Sequence, residues 1–150
     1  MNDKFAVMEN LIGWRHGFKR ITDSCFFHSS RVRGKVHKNV LIILKSIAHK
    51  GSYWFGVHPQ HLDKIKSHST NSKLDTFAFM CGDRTVVLPA DFVIANLANF
   101  PLTRKKPKHW NLHFVEKGEK IFLRSNKGMT DATRFVQQSP DAFMRDRPSF

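Results

Sequence analysis

Acidic residues are scarce in this sequence. Twelve Asp and Glu stand against 25 Lys and Arg in 150 residues, a formal charge of +13 with the nine His neutral, and the pI is near 10.2. A surplus of that size points to an anionic partner. Cysteine is nearly absent: Cys25 and Cys81 alone cannot build a disulfide framework, and Cys81, closing the run FAFMC, reads as a small buried apolar residue. No apolar run approaches the ~20 residues of a membrane span. The opening MNDKFAVMENLIGW has no basic region leading into an apolar stretch and a small-residue cleavage site. The expectation is a soluble, cytoplasmic protein with no membrane partner. A Gly-rich phosphate loop, a GxSxG elbow, an HExxH helix and a Cys-pair finger are all missing, as is any repeat of about 20–50 residues. These absences remove the commonest nucleotide-hydrolysing, zinc-finger, solenoid and propeller classes.

What is present suffices for a folded domain. Leu, Ile, Val and Phe make up 28% of the chain, above the level of about 20% below which charged chains stay disordered. The length suits one domain spanning 1–150. Charge is unevenly placed: residues 1–50 carry +7, residues 51–100 are neutral and residues 101–150 carry +6. A neutral middle with basic flanks predicts a nucleic-acid-binding protein, held first by phosphate contacts, with DNA placed ahead of RNA. An acidic protein partner is the competing reading of the same charge, and the oligomeric state is left open.

Along the chain, Phe5, Met8, Leu11 and Ile12 fall at helical spacing and predict a short amphipathic helix over 1–12. Residues 13–38 are broken by Gly13, Gly17 and Gly34 and carry Arg31, Arg33 and Lys35 among other cations, so they read as a basic, irregular segment. For 39–50, Asn39 as a cap, Val40, Leu41, Leu44 and Ile47 on one face and Gly51 as a stop predict a helix, although the Val-Leu-Ile-Ile run would equally suit a buried strand. Residues 52–58 read as a strand closed by Pro59, and Gln60–Lys66 as a short helical turn. Residues 75–81 and 85–88 form a hairpin about Gly82-Asp83, and Asp91 caps a helix from Phe92 to Phe100. After an exposed basic loop come two strands, HWNLHFV and KIFLR, joined by a turn at Glu116–Glu119. Residues 126–150 read as a polar tail. The fold class is therefore α+β, a small single domain with a mostly antiparallel, mixed sheet of about five strands and helices packed on it. Trp54, Phe77, Phe79, Val87, Leu88, Phe92, Leu97, Trp110, Leu112, Phe114 and Phe122 are the expected core.

Candidate functional residues follow from the same pattern. In the strand from His109, period-2 alternation sends His109, Asn111 and His113 to one face and Trp110, Leu112 and Phe114 to the other. This polar stripe follows Arg104, Lys105, Lys106 and Lys108, so the run reads as a phosphate-facing ridge with His109 and His113 beside it. The two His sit about 13 Å apart along a strand, too far to share one metal. His58, His61 and His68 flank Asp63 in a spacing that matches no established zinc pattern, and no metal site is assigned. Tyr53, Trp54 and Phe55 are better read as core than as a stacking platform. No catalytic residue is identified, and no cofactor is called for.

From Gly51 to about Leu97, the succession GSYWFGV, DTFAFMCGD, RTVVLP and a following helix resembles the later strands of the restriction-endonuclease-like PD-(D/E)XK fold. The resemblance covers under a third of the chain. It implies either a nuclease using Mg²⁺ or an accessory or degenerate member of a restriction or repair system. The catalytic Asp and Glu-x-Lys of that family would precede this region, and Asp3, Glu9 and Asp23, the only acids there, begin no acid-x-Lys strand. A nuclease would need to gather two of Asp63, Asp75, Asp83 and Asp91.

Overall fold

The computed structural model describes residues 4, 6–7, 18–70, 72–104 and 106–150. The elements in chain order are β1 (Phe18–Arg20), β2 (Cys25–Val32), β3 (Lys35–Lys45), β4 (Ile47–His49), β5 (Ser52–Val57) and α1 (Pro59–His68). They continue with β6 (Thr76–Cys81), β7 (Arg84–Pro89), α2 (Ala90–Ala95), β8 (Trp110–Lys117), β9 (Lys120–Ser125) and β10 (Gly128–Asp131). Among the described residues the strands make two five-stranded sheets, ordered β1-β2-β3-β6-β7 and β10-β9-β8-β5-β4. Every pairing is antiparallel except β3 with β6. The α+β class and the mixed sheet are as the sequence predicts, but a second sheet joins the expected one.

The two sheets share one core. Val40, Ile42, Phe77, Phe79, Val86 and Leu88 from the first meet Phe55, Val57, Leu112, Phe114, Ile121 and Leu123 from the second. The first sheet is covered on its other face as well, where Leu41, Ile43, Ala78, Met80 and Val87 pack with Val7, Phe26 and Phe143. This double burial explains why the helix expected over 39–50 is instead the end of β3 followed by β4. A strand buried on both faces loses its polar alternation and reads as a continuous apolar run.

Two further expectations are corrected. Of the segment 13–38, residues 18–38 hold β1, β2 and the start of β3 rather than irregular chain, because Gly34 is a hairpin tip and not an interruption; residues 13–17 lie outside the described residues. Residues 126–150 are no free polar tail: Phe135 and Phe143 are fully buried, Arg147 pairs with Asp91, and Phe150 stacks on Phe92 at 5.4 Å. Asp91 therefore sits in the first turn of α2 as an ion-pair partner, not as the cap. The helix expected to run to Phe100 is α2 plus a 3-10 turn at Leu97–Asn99. Of the expected core, Trp54 is 42% exposed, and Phe122 and Trp110 are half-buried, Trp110 still packing against the core. The remaining eight are buried. Lys4, Ala6 and Val7 are helical, and Phe5, Met8, Leu11 and Ile12 lie outside the described residues. Among the described residues no helix is long and apolar enough to cross a membrane.

Candidate nucleic-acid interface

Among the described residues, the β2–β3 hairpin outruns its sheet. β1 pairs with β2 only over Phe26–His28, and β6 pairs with β3 only from Leu41 onward. Between those limits and the tip, Ser29–Val32 and Lys35–Lys38 pair, among the described residues, with each other alone. Thr70 braces the base of this ribbon, its N–H donating to the Lys38 carbonyl and its hydroxyl accepting from the Lys38 N–H. At the tip, Arg33 (φ 52) and Gly34 (φ 80) are both left-handed, the two-residue loop whose twist matches the flanking strands. Arg31, Arg33, Lys35 and Lys38 are exposed, and Val36 is 58% exposed. Arg31, Arg33 and Lys35 have no carboxylate partner among the described residues. In the sequence itself, no acid occurs between Asp23 and Asp63.

The second basic feature is the loop before β8. Its neck is closed by the Thr103 N–H donating to the His109 carbonyl at 2.9 Å and the His109 N–H donating to the Thr103 hydroxyl at 3.0 Å. Arg104, Lys106 and Lys108 project from it, all exposed, and Lys105 lies outside the described residues. The loop rises from the rim of a groove of about 420 Å³ on the outer face of the second sheet. Trp54 on β5 and His113 on β8 are register partners, and their rings stack at 3.8 Å and 10°. Arg124 on β9 is in turn the partner of His113. Asn111, Phe100 and Asn126 complete much of the lining, and no acid lines it. Burial and then the nearby Arg124 guanidinium hold the His113 pKa below its ordinary value, favouring the neutral ring.

The polar stripe predicted for β8 therefore exists but divides. Asn111 and His113 face the groove, whereas His109 turns to His58, 4.6 Å away between ring centres. Gly56 makes that contact feasible, because a Cβ there would stand 2.8 Å from His109 Cδ2 and 3.2 Å from His58 Nε2. His61 joins them at 5.5 Å from His58, its Nδ1 accepting the His58 N–H. That bond places the His61 proton on Nε2, which removes its lone pair from metal binding. Burial, followed by His58 and Lys4, pushes His61 down to about 4. His68 stands apart, stacked with Phe27. No group of three metal-ligating side chains occurs among the described residues.

The four central acids are dispersed or engaged. Asp75 and Asp91 feel each other's charge, but Asp75 accepts the Val40 N–H at 2.9 Å and Asp91 pairs with Arg147. Asp63 and Asp83 are exposed on separate elements. Both cysteines are buried and free, and burial raises their thiol pKa values, against a nucleophilic role.

Sequence reasoning missed Trp54 and Arg124. The signal for Arg124 was present, since Ile121 and Leu123 inward put Phe122 and Arg124 outward. An aromatic run normally fills a core, which hides Trp54 in the sequence, though Tyr53 and Phe55 on the opposite face already supply it. No protein-family model matches this chain, and no curated protein or solved structure does so.

Proposed function

We propose that this chain is a nucleic-acid-binding protein that grips duplex DNA with the β2–β3 ribbon. The observation that carries this reading is the ribbon itself: among the described residues it is a two-stranded arm beyond the sheet, with Arg31, Arg33 and Lys35 exposed and unpaired by acid. A two-stranded ribbon fits the major groove of B-form DNA, whereas the deep, narrow major groove of A-form RNA excludes it. Arg33 adds a second argument. A left-handed position costs an ordinary side chain about 1–2 kcal/mol, so an Arg there suits recognition better than stability. Such a partner would place the protein inside the cell, and an accessory role in a restriction or repair system is compatible with it. Binding stands ahead of metal-dependent cleavage because Asp75 and Asp91, which feel each other's charge, serve Val40 and Arg147.

The test is fluorescence anisotropy with labelled duplex DNA, duplex RNA and heparin at ~50 mM salt. Duplex DNA should bind, and the variant Arg31→Ala/Arg33→Ala/Lys35→Ala should lose most of that affinity while unfolding at the same temperature. Indifference to all three polyanions would sink the reading and favour an acidic protein partner.

A further inference from the structure

The groove beside Trp54 has a chemistry that the ribbon does not explain. We infer that it accepts an unpaired nucleobase, with the flanking phosphates of a single-stranded stretch held by Arg104, Lys106 and Lys108 at its rim. This rests on the nucleic-acid reading above and names a second element that the same partner would present. A flat aromatic surface is in place, because Trp54 is 42% exposed and already parallel to His113. Unpaired bases are bound by stacking on such rings and by amide and guanidinium groups that meet their hydrogen-bonding edges. Asn111, Asn126 and Arg124 carry such groups and stand around the groove, whose wall is mainly apolar and includes Phe100.

Charge selects the occupant. The groove has no acidic lining residue, Arg124 has no carboxylate partner among the described residues, and three exposed cations stand on the adjoining loop. The loop is tied to the groove at both ends: Pro101, before it, accepts the Asn111 N–H at 2.8 Å, and His109, after it, is held by Thr103. A base in the groove would thus have its own phosphates beside Arg104, Lys106 and Lys108. An apolar peptide would leave the same cations and amides unanswered. The volume of about 420 Å³ is within the range of pockets that hold small ligands.

The experiment compares a labelled oligodeoxythymidylate with an abasic deoxyribose-phosphate chain of equal length and a duplex, all at one salt concentration. The protein should bind the base-bearing strand on the order of ten-fold more tightly than the abasic chain. Trp54→Ala should erase that preference without changing abasic affinity, and Trp54→Phe should keep most of it; thermal unfolding shows that both variants fold. Equal affinity for the base-bearing and abasic strands, or a preference that survives Trp54→Ala, overturns the base groove while leaving the nucleic-acid reading standing. Failure to bind either strand or the duplex overturns both.

Discussion

Arg84 and Glu116 join the two sheets. Arg84 stands on β7 in the first sheet and Glu116 on β8 in the second; they form a half-buried ion pair, and the same guanidinium donates to the Glu119 carbonyl at 2.8 Å. Glu116 also accepts the hydrogen bond of the Tyr53 phenol, which with burial pushes that hydroxyl up to about 12. One carboxylate thereby ties β7 of the first sheet to β8 and the neighbouring aromatic strand β5 of the second.

Tyr53 is the sole tyrosine in the chain, so tyrosinate absorbance reads it alone. Glu116→Gln should move its titration down from about 12 toward the ordinary value near 10. An unchanged titration would show that Glu116 does not hold the phenol.

The two faces of the β5–β8 pair should respond oppositely to truncation. Leu112 is fully buried between the sheets, so Leu112→Ala should cost about 2–5 kcal/mol through the cavity left behind. Trp54→Ala, on the outer face, should cost less than about 1 kcal/mol. Denaturant unfolding measures both, and comparable losses would reverse the assignment of the two faces.

Arg33 should separate stability from binding. Arg33→Asn relieves the left-handed position and should raise stability by up to about 1 kcal/mol, while weakening DNA binding by removal of a tip charge. If stability and affinity fall together, Arg33 serves the fold rather than the ligand.

Acid stability has opposing contributions. His61 titrates at about 4 in the fold against 6.5 free, so its contribution is complete above pH 6.5 and is lost as pH falls toward 4; His58 and His113, also lowered by burial, act in the same sense. Burial raises Asp75 to about 6 from 3.8, so its contribution is present below 3.8 and is lost as pH rises through 6. Asp75→Asn should therefore make the loss of stability between pH 7 and 4.5 steeper, and His61→Gln should make it shallower. Denaturation midpoints at the two pH values decide the matter, and slopes that do not diverge would contradict these assignments.

The fold class and the two later hairpins were legible because Gly82 and Gly118 mark tight turns between alternating strands. The first half was not. The run from Val40 to Leu44 is equally apolar on both sides because both sides are covered, and only tertiary packing shows this. Arg33-Gly34 lacks the Asn or Asp that ordinarily announces a two-residue turn, so the sequence there shows only a basic segment interrupted by glycine. Its cations Arg31, Arg33 and Lys35 are candidates for nucleic-acid contact from charge alone. The groove was invisible for a different reason: Trp54, His113 and Arg124 come from three strands, and their neighbourhood exists only once the register is known.

The salt dependence of DNA binding tests the central claim most directly. If about six cations meet phosphates, log affinity should fall against log salt with a slope near −5, and four-fold dilution should strengthen binding on the order of a thousand-fold. Replacing Arg31, Arg33 and Lys35 together should make the slope shallower by about two to three. A slope near zero, or one that the triple variant leaves unchanged, would contradict the account.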